Sequence, residues 1–596
     1  MDIESLISSA SRSQQMDENQ VGNCSRIWHV GFFFDGIHRN IEQDAPEKRL
    51  SNIARLFRAH PNTLNNTSHY SYDSFYISGL GTPFKEEITA HLHTMMDGAQ
   101  STTLDDIKAQ PGDMAKEAGV ELLKGKNWYE VLKKQGEKLL NPAEYKKLIG
   151  NISSSVAKKV SIEATPWLRD NPTVADFLVT GADTRLTSTK ISFEEAFKEV
   201  KTLSPVPVRL ISVAVFGYDL GATLARKFID NLLGEVCQKQ GESYSYQGVP
   251  VDIVFTGLFD CARHTPASND NGVDYFIATA SGPLSKLSVL FGDKSIDHQT
   301  ALPKEVRSAL HLVAAHERRP WRCLYRLGDI SPEHKEELLP GCSEDIGGGL
   351  KPDEQKPSAE LCRVALQKMY RAAAMSGVPF PDFKTLDKTD TDIASYFVME
   401  DTWENASVAE WVARYQKVMR AKKVSILAQN QHLDNYIDWL GQQYYQYRTE
   451  HLKLSGQRER ALSGPGAMMG QLGIEKNALR EARGIQLQID TLEQHWGWLE
   501  DVHEAAKTAR GWGDGVNIMD KRIDLAPDIY VPAVKRADNF LRYAQSAFTG
   551  EPISIMPTRD TAVLYARFMH DIQRADRGAA INADYLVIRS MEKPGG

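Results

Sequence analysis

Residues 208–228 read VRLISVAVFGYDLGATLARKF, and this stretch decides the fold. Its first part is apolar and rich in β-branched side chains, which is typical of a buried strand. From Ala222 onward the spacing is that of a helix, with alanines where the helix must approach a sheet closely. Between the two, Gly217 and Gly221 keep the backbone of a sharp turn clear of neighbouring side chains. The pattern therefore predicts a strand, a tight turn and a helix, with Asp219 exposed at the turn.

This turn has the frame of a nucleophile elbow, G-x-S-x-G, in which serine normally stands at the centre. Here Gly217-Tyr218-Asp219-Leu220-Gly221 places an aspartate there. In a serine hydrolase a histidine removes the hydroxyl proton, an acid orients the histidine, and backbone N–H groups hold the oxyanion. A carboxylate is a poor substitute, because after attacking an ester carbonyl it is expelled more readily than an alkoxide. The sequence thus predicts the scaffold of a serine hydrolase without its serine.

The rest of the first half alternates between strand and helix signals. Strands are predicted at 27–34, 75–77 and 251–260. The first strand ends in the turn signal Asp35-Gly36, and a helix begins after an N-cap at Ser51. Strands separated by helical segments indicate an α/β fold with a mostly parallel sheet.

The composition is that of an ordinary globular protein and argues against several classes. With 596 residues, 42% of them hydrophobic and 25% charged, the chain has room for two or three domains. A net charge of −8 without a basic stripe argues against nucleic-acid binding. The six cysteines form no C-x-x-C pair, so reduced thiols are expected rather than a zinc site or a disulfide framework.

No targeting or membrane segment is apparent in the sequence. The polar N-terminus lacks the apolar core of a signal peptide, and no stretch approaches the ~18 uninterrupted apolar residues of a membrane span. We therefore expect a protein made in the cytoplasm, which could still be secreted by a route that reads no signal peptide.

The chain is expected to divide into several parts. These are a flexible leader at 1–26, a core at 27–380 with a helical insertion at about 85–203, a helical domain or cap at 381–545, and a C-terminal segment at 546–596 that returns to the core. Helical spacing relates Val408, Trp411, Val412, Tyr415 and Val418, and likewise Leu433, Ile437, Leu440, Tyr444 and Tyr447. Core packing of these stripes is favoured, with a lipid-facing or partner-facing role as the alternative.

Six short motifs occur in a fixed order along the chain. They are Phe33-Phe34-Asp35-Gly36 followed by Ser51-Asn52-Ile53, FGYDLGA at 216–222, Gly257-Leu258-Phe259-Asp260, the stretch 311–319, PGCSEDIGGG at 340–349, and Phe568-Met569-His570-Asp571. Together they resemble the α/β-hydrolase lipase effectors of type VI secretion and their domain-of-unknown-function relatives. The resemblance implies an α/β-hydrolase fold with a helical second domain, and it covers roughly 27–380 and 560–596.

The chain departs from the family's pattern at its chemical positions. Asp219 replaces the elbow serine, and Ser343 replaces the histidine of the family's P-G-x-H-x-D-I-G-G-G loop. His316 stands where an acidic residue is common, and Ile572 replaces the serine of the C-terminal V-H-D-S motif. The histidine of that last motif, His570, is present, although the resemblance leaves open which histidine would serve the site.

Two functions follow from the resemblance and its departures. In the first, the serine-hydrolase site has degenerated, and the protein acts by binding secretion-spike components, an immunity protein or a phospholipid surface. In the second, it is an active hydrolase, phospholipase-like or with Asp219 as nucleophile, Asp260 as acid and His570 as base. An aspartate elbow suits displacement at saturated carbon, where the histidine activates water against the resulting ester.

Three further residues have two interpretations each. Asp345, before three glycines, could bind a cation such as calcium, although an aspartate that caps a glycine-rich turn is commoner. Arg318 and Arg319 could meet lipid phosphate, although solvated surface arginines are the commoner case. No other cofactor is expected.

Overall fold

The computed structural model describes ten segments of the chain. They are residues 25–84, 181–241, 243–263, 301–319, 322–328, 331–463, 472–511, 527–550, 557–572 and 583–592. Most of the predicted leader and of the predicted insertion lie outside the described residues, and β1 begins at Arg26, the last residue of that leader.

The described strands fall into three sheets. They are β1 (Arg26–Phe34), β2 (Tyr70–Ile77), β3 (Val208–Tyr218), β4 (Gln238–Gln240), β5 (Ser243–Tyr246), β6 (Val249–Phe259), β7 (Ala262–Arg263), β8 (Ala309–Ala314), β9 (Cys323–Tyr325), β10 (His334–Leu339), β11 (Thr402–Trp403), β12 (Ala406–Ser407) and β13 (Met591–Glu592). The central sheet has the order β10-β8-β6-β3-β1-β2, all parallel, and the antiparallel β4–β5 hairpin pairs with the start of β6. The elbow strand β3 therefore lies in the middle of the sheet.

The described helices are α1 (Ile41–Asp44), α2 (Asn52–Ala59), α3 (Ala182–Leu203), α4 (Asp219–Asn231), α5 (Ser343–Gly347), α6 (Leu361–Met375), α7 (Phe383–Thr389), α8 (Thr391–Ser395), α9 (Val408–Met419), α10 (Ile426–Ser463), α11 (Leu472–Trp496), α12 (Leu499–Gly511), α13 (Pro527–Thr549) and α14 (Arg559–Arg567). The predicted cap at Ser51 is confirmed, since its hydroxyl accepts the N–H of Ala54 at 3.0 Å. Helix α2 therefore starts at a fixed point beside the sheet.

Helices cover both faces of the central sheet. One face buries Trp28 and Phe32 of β1 against α3 and α4, and the other buries Phe33 against α2 and α6. Successive strand residues point to opposite faces, so an apolar run such as β1 supplies both layers. This is an α/β fold with a mostly parallel sheet of the α/β-hydrolase type, as the sequence predicts.

Helices α9 to α14 form a second region with its own core. The predicted helical stripes lie in that core, with every named residue of α10 buried and all of α9 except Val418, which is 36% exposed. Core packing of the stripes is thus confirmed up to the last turn of α9. Helix α10 has 38 residues, a length of about 57 Å. Among the described helices, none has the length and apolar character needed to cross a membrane.

After α14 the chain lies against the sheet region again. Strand β13 pairs in parallel with β9, which also pairs with β7 directly after the central strand β6. The residues at 568–572 and 589 consequently reach the edge of the central sheet where its strands end.

Candidate functional site

The elbow has the geometry that its sequence predicts. Strand β3 ends at Tyr218, and Asp219 opens α4 with φ 52°, in the left-handed region that few non-glycine residues adopt. A Cβ on Gly217 would lie 2.4 Å from the Cα of Ala222, and one on Gly221 would lie 2.1 Å from a backbone oxygen. Both glycines are therefore required by close backbone approach, and the central residue is held in a strained conformation.

Asp219 is buried, which corrects the expectation that it is exposed. It is 1% exposed, and Nη1 of Arg322 lies 3.4 Å from its Oδ1. The other end of the same guanidinium lies 3.7 Å from Glu344. Burial lowers the pKa of Arg322 and so does Arg319, but Asp219 and Glu344 outweigh them and hold it above its usual value. The carboxylate at the nucleophile position is thus paired with a permanent cation.

Asp260 lies in a salt bridge of its own. Arg589 donates Nη1 to its Oδ2 at 3.0 Å and Nη2 to its Oδ1, and the N–H of Ala314 donates to Oδ1 at 2.9 Å. Neither Asp260 nor Arg589 has a solvent-exposed side chain. Among the described residues no hydrogen bond joins Asp260 to His570. The partner of the aspartate at the end of β6 is an arginine from the C-terminal segment.

His570 is paired with Asp345. Its Nδ1 lies 2.6 Å from Oδ1 of Asp345, and its backbone N–H donates to Oδ2 at 2.9 Å. Because the carboxylate accepts at Nδ1, that nitrogen carries the hydrogen, and in the neutral ring Nε2 is the acceptor. Nε2 is buried and has no hydrogen-bond partner within the described part of the chain. Burial lowers the pKa of His570, but Asp345 outweighs it and the net shift is upward.

The His570–Asp345 pair lies beside the elbow. Asp345 is in the short helix α5, whose Gly347 packs so closely on Tyr218 that a Cβ there would lie 2.1 Å from the ring. Its neighbour Glu344 shares Arg322 with the elbow aspartate. A histidine and an acid that orients it thus lie together at the edge where the parallel strands end, the usual place for a site in such sheets.

The backbone N–H of Gly36, two residues after the end of β1, already has a hydrogen-bond acceptor. The N–H of Gly36 donates to Oδ1 of Asp35 at 2.8 Å, and Oδ2 accepts from Ser51 at 2.7 Å and from Tyr76 at 2.6 Å. Burial raises the pKa of Asp35 to about 6 despite these hydrogen bonds. The Gly36 amide is therefore engaged by its own neighbour and not directed at a substrate oxygen.

Arg318 and Arg319 are buried, so the interpretation of both as solvated surface residues is wrong. Arg318 pairs with Asp571 at 2.6 Å, and Arg319 pairs with Glu317 at 2.6 Å and with Glu344 at 2.7 Å. Glu317 is only two residues from Arg319, but Asp571 and Glu344 come from other segments, which local sequence cannot reveal.

The geometry around Asp345 is that of a histidine partner and loop cap. Besides the two bonds to His570, its Oδ2 accepts the N–H of Cys342 at 3.0 Å. In the described part of the chain no group of three or more His, Cys, Asp or Glu side chains is arranged to hold a metal ion.

Comparison with known proteins supports the fold. An uncharacterized protein from Pseudomonas aeruginosa has a TM-score of 0.53 to this chain at 18% identity, over 99% of this chain and 82% of that one. The Tle1 effector bound to the VgrG spike from the Type 6 secretion system is a weaker match, with a TM-score of 0.23 and 16% identity over 55% of this chain and 51% of that one. No protein-family model and no curated protein matches the chain. At these identities the first likeness shows the fold alone, and the second carries no argument.

Proposed function

We propose that this protein is a relative of the type VI lipase effectors whose serine-hydrolase site is retired, and that it acts by binding. The observation that carries the proposal is the buried ion pair between Asp219 and Arg322, 3.4 Å apart, at the nucleophile position. A carboxylate neutralised in this way is stabilised as part of the packed interior. Leaving that pair to attack a substrate would strand a buried charge, which costs about 3–5 kcal/mol.

Two neighbouring groups support the same conclusion. Asp260 has both oxygens on Arg589, and the amide of Gly36 donates to Asp35 instead of facing an open oxyanion position. Catalysis of acyl transfer requires a reactive nucleophile and free donors for the developing oxyanion. Neither requirement is met by these groups, so binding with the fold retained is the function that fits best.

The partner we propose is a component of the type VI secretion spike. The support is the ordered set of six motifs, which resembles the type VI lipase effectors. An immunity protein and a phospholipid surface are the other candidate partners. Binding to purified spike protein, measured by analytical ultracentrifugation, and flotation with phospholipid vesicles distinguish these partners.

The decisive test is release of fatty acid from phospholipid vesicles. Four proteins are compared: native, Asp219→Ser, His570→Ala, and the double variant Asp219→Ser/His570→Ala. We expect no release by the native protein. Release that appears in Asp219→Ser and disappears in the double variant would show a preserved pocket that lacks only its nucleophile. Release by the native protein that His570→Ala abolishes would contradict the proposal.

One observation favours a second candidate, a hydrolase acting at saturated carbon. His570 has an acid at Nδ1 and a buried, unpartnered Nε2, which is the arrangement of a general base. In this scheme the Asp219 carboxylate displaces a halide or opens an epoxide, and water activated by His570 hydrolyses the ester. The test is intact-mass measurement of His570→Gln after incubation with a haloalkane or an epoxide. A stable alkyl adduct, lost in Asp219→Asn, would support this candidate, and an unmodified mass would refute it.

A further inference from the structure

A buried cluster of two histidines and three tyrosines joins the sheet region to the helical region. It consists of His316 from the segment after β8, Tyr415 of α9, His432 and Tyr436 of α10, and Tyr565 of α14, and is called here the histidine junction. The two imidazole rings lie 5.8 Å apart, nearly perpendicular. None of this cluster belongs to the proposed hydrolase site, and its residues come from both regions of the fold.

The hydrogen bonds of the junction determine which ring nitrogens carry hydrogen. The backbone N–H of Gly341 donates to Nδ1 of His316 at 3.0 Å, so that nitrogen has no hydrogen. Nε2 of His316 therefore carries it and faces the hydroxyl oxygen of Tyr415 at 3.3 Å. Tyr415 in turn lies 2.6 Å from Nδ1 of His432, whose Nε2 donates to the carbonyl of Ala421 at 2.8 Å. Both histidines are thus neutral in this network.

His316 cannot take up a second proton without losing this geometry. A hydrogen on Nδ1 would point at the N–H of Gly341, and a backbone donor cannot be turned into an acceptor. His432 is less constrained, because the hydroxyl of Tyr415 can rotate and accept instead of donating. The acid-sensitive contact is therefore the one between His316 and Gly341.

The groups around His316 give a protonated ring little support. Tyr415, Tyr436 and Tyr565 face it as uncharged side chains, and His432 faces it as a neutral ring. In its own segment Arg318 is the nearest cation, itself paired with Asp571. Among the described residues no carboxylate is hydrogen-bonded to either imidazole.

The pKa of His316 agrees with these contacts. Burial lowers it, and His432 and Arg318 lower it further, while a backbone carbonyl of His432 acts in the opposite direction. The net shift is well below the usual range, and burial lowers the pKa of His432 as well.

The junction is also connected to the elbow edge. Gly341 has φ 114°, and a Cβ there would lie 2.3 Å from the Cβ of Asp345. The residue whose N–H is held by His316 thus packs directly on the residue that orients His570. A movement of the loop at 341 would be transmitted to that pair.

We propose that the histidine junction is an acid-sensitive latch: protonation of His316 breaks its contact with the N–H of Gly341, releases the loop at 341–347 and loosens the contact between Asp345 and His570. The latch holds above the ordinary pKa of histidine, about 6.5. Below it, each pH unit raises the equilibrium constant for opening about tenfold, because the open state binds one more proton.

Hydrogen exchange of the full-length protein, followed by mass spectrometry between about pH 7.5 and pH 5, tests the proposal. Rates are corrected for the intrinsic pH dependence of amide exchange. We expect exchange to rise below about pH 6.5 in peptides covering 311–318, 341–347 and α9, by about tenfold per pH unit, and to stay constant in α3. A uniform rise along the chain, or no rise in these peptides, would overturn the proposal.

Two variants and a matched control assign the effect to one residue. His316→Asn keeps an acceptor for the N–H of Gly341 but does not titrate, so it should abolish the rise at 341–347. His432→Asn should retain the rise, and so should His495→Asn, a change at an exposed histidine. If His432→Asn abolishes the rise while His316→Asn retains it, the assignment is wrong. If His316→Asn does not fold, the native protein and His432→Asn decide the outcome. A rise in exchange at 341–347 in both supports the assignment to His316, and loss of the rise in His432→Asn contradicts it.

Discussion

Replacing Arg589 by methionine should destabilise the protein strongly, because Asp260 would lose its partner. The methionine has nearly the length of the arginine stem and fills much of its volume. What it removes is the guanidinium that donates to both oxygens of Asp260. Among the described residues, the N–H of Ala314 would then be the one remaining donor to this carboxylate. Since neither side chain of the pair is exposed to solvent, water cannot take the place of the arginine.

The expected cost follows from the burial of the pair. Removing one partner of a buried ion pair costs about 3–5 kcal/mol, because the remaining charge is uncompensated. The double variant Asp260→Asn/Arg589→Met leaves no buried charge and keeps an acceptor for Ala314. Its remaining cost is a partly unsatisfied amide, about 1–3 kcal/mol. The double variant should therefore be more stable than the single Arg589→Met, although it carries one substitution more.

Urea unfolding followed by far-ultraviolet circular dichroism measures these differences. The matched control is Arg559→Met, which removes the pair with Glu404 in which the arginine side chain is 71% exposed. That control should cost about 0–1 kcal/mol. If Arg589→Met costs no more than the control, or if the double variant is the less stable of the two, the structural role assigned to Asp260 is refuted.

The remaining predictions concern the elbow and two histidines. Gly221→Ala should lower the free energy of unfolding by about 1–3 kcal/mol or more, because its Cβ would lie 2.1 Å from a backbone oxygen. Gly456→Ala, whose Cβ would have nothing within 4 Å, should raise that free energy by about 0.5–1 kcal/mol, and thermal unfolding measures both changes. Burial lowers the pKa of His60 to about 3, so its contribution to stability is present above pH 6.5 and is lost as the pH falls. Between pH 7 and pH 5 the loss should be about 2 kcal/mol, and His60→Leu should remove this slope from urea unfolding. Asp345→Asn should lower the pKa of His570, measured by the imidazole proton shifts in NMR, since that carboxylate outweighs burial; an unchanged pKa would contradict the pairing.

The elbow and the sheet could be predicted from the sequence because their signals are local. Gly217 and Gly221 flank the central residue within a few positions, and the strand before them is a continuous apolar run. The burial of Asp219 could not be predicted, since Arg322 lies a hundred residues further along the chain. Spacing within a motif specifies backbone conformation, whereas the side chain that covers the motif is determined by the tertiary fold.

For the same reason, the sequence could not show that Asp345 is the acid partner of His570. His570 and Asp345 are 225 residues apart, and Asp260 and Arg589 are 329 apart. An acid at the end of the next strand after the elbow strand is the expected partner for the histidine, so the sequence alone points to Asp260. The one usable signal lies in the loop at 340–349, where Asp345 matches the aspartate of the motif that the loop resembles.

Charge pairing distinguishes the three aspartates of this region from His570. Asp219, Asp260 and Asp571 are each matched by an arginine from another segment, as expected of charges that stabilise a packed interior. A catalytic group differs in having a displaced pKa together with an atom left without a partner. His570 has both features. Asp345 raises its pKa despite burial, and its buried Nε2 has no hydrogen-bond partner among the described residues. If the proposed function is right, His570 is ready to act and the nucleophile is what the site lacks, so Asp219→Ser is the single change with which hydrolysis can be sought.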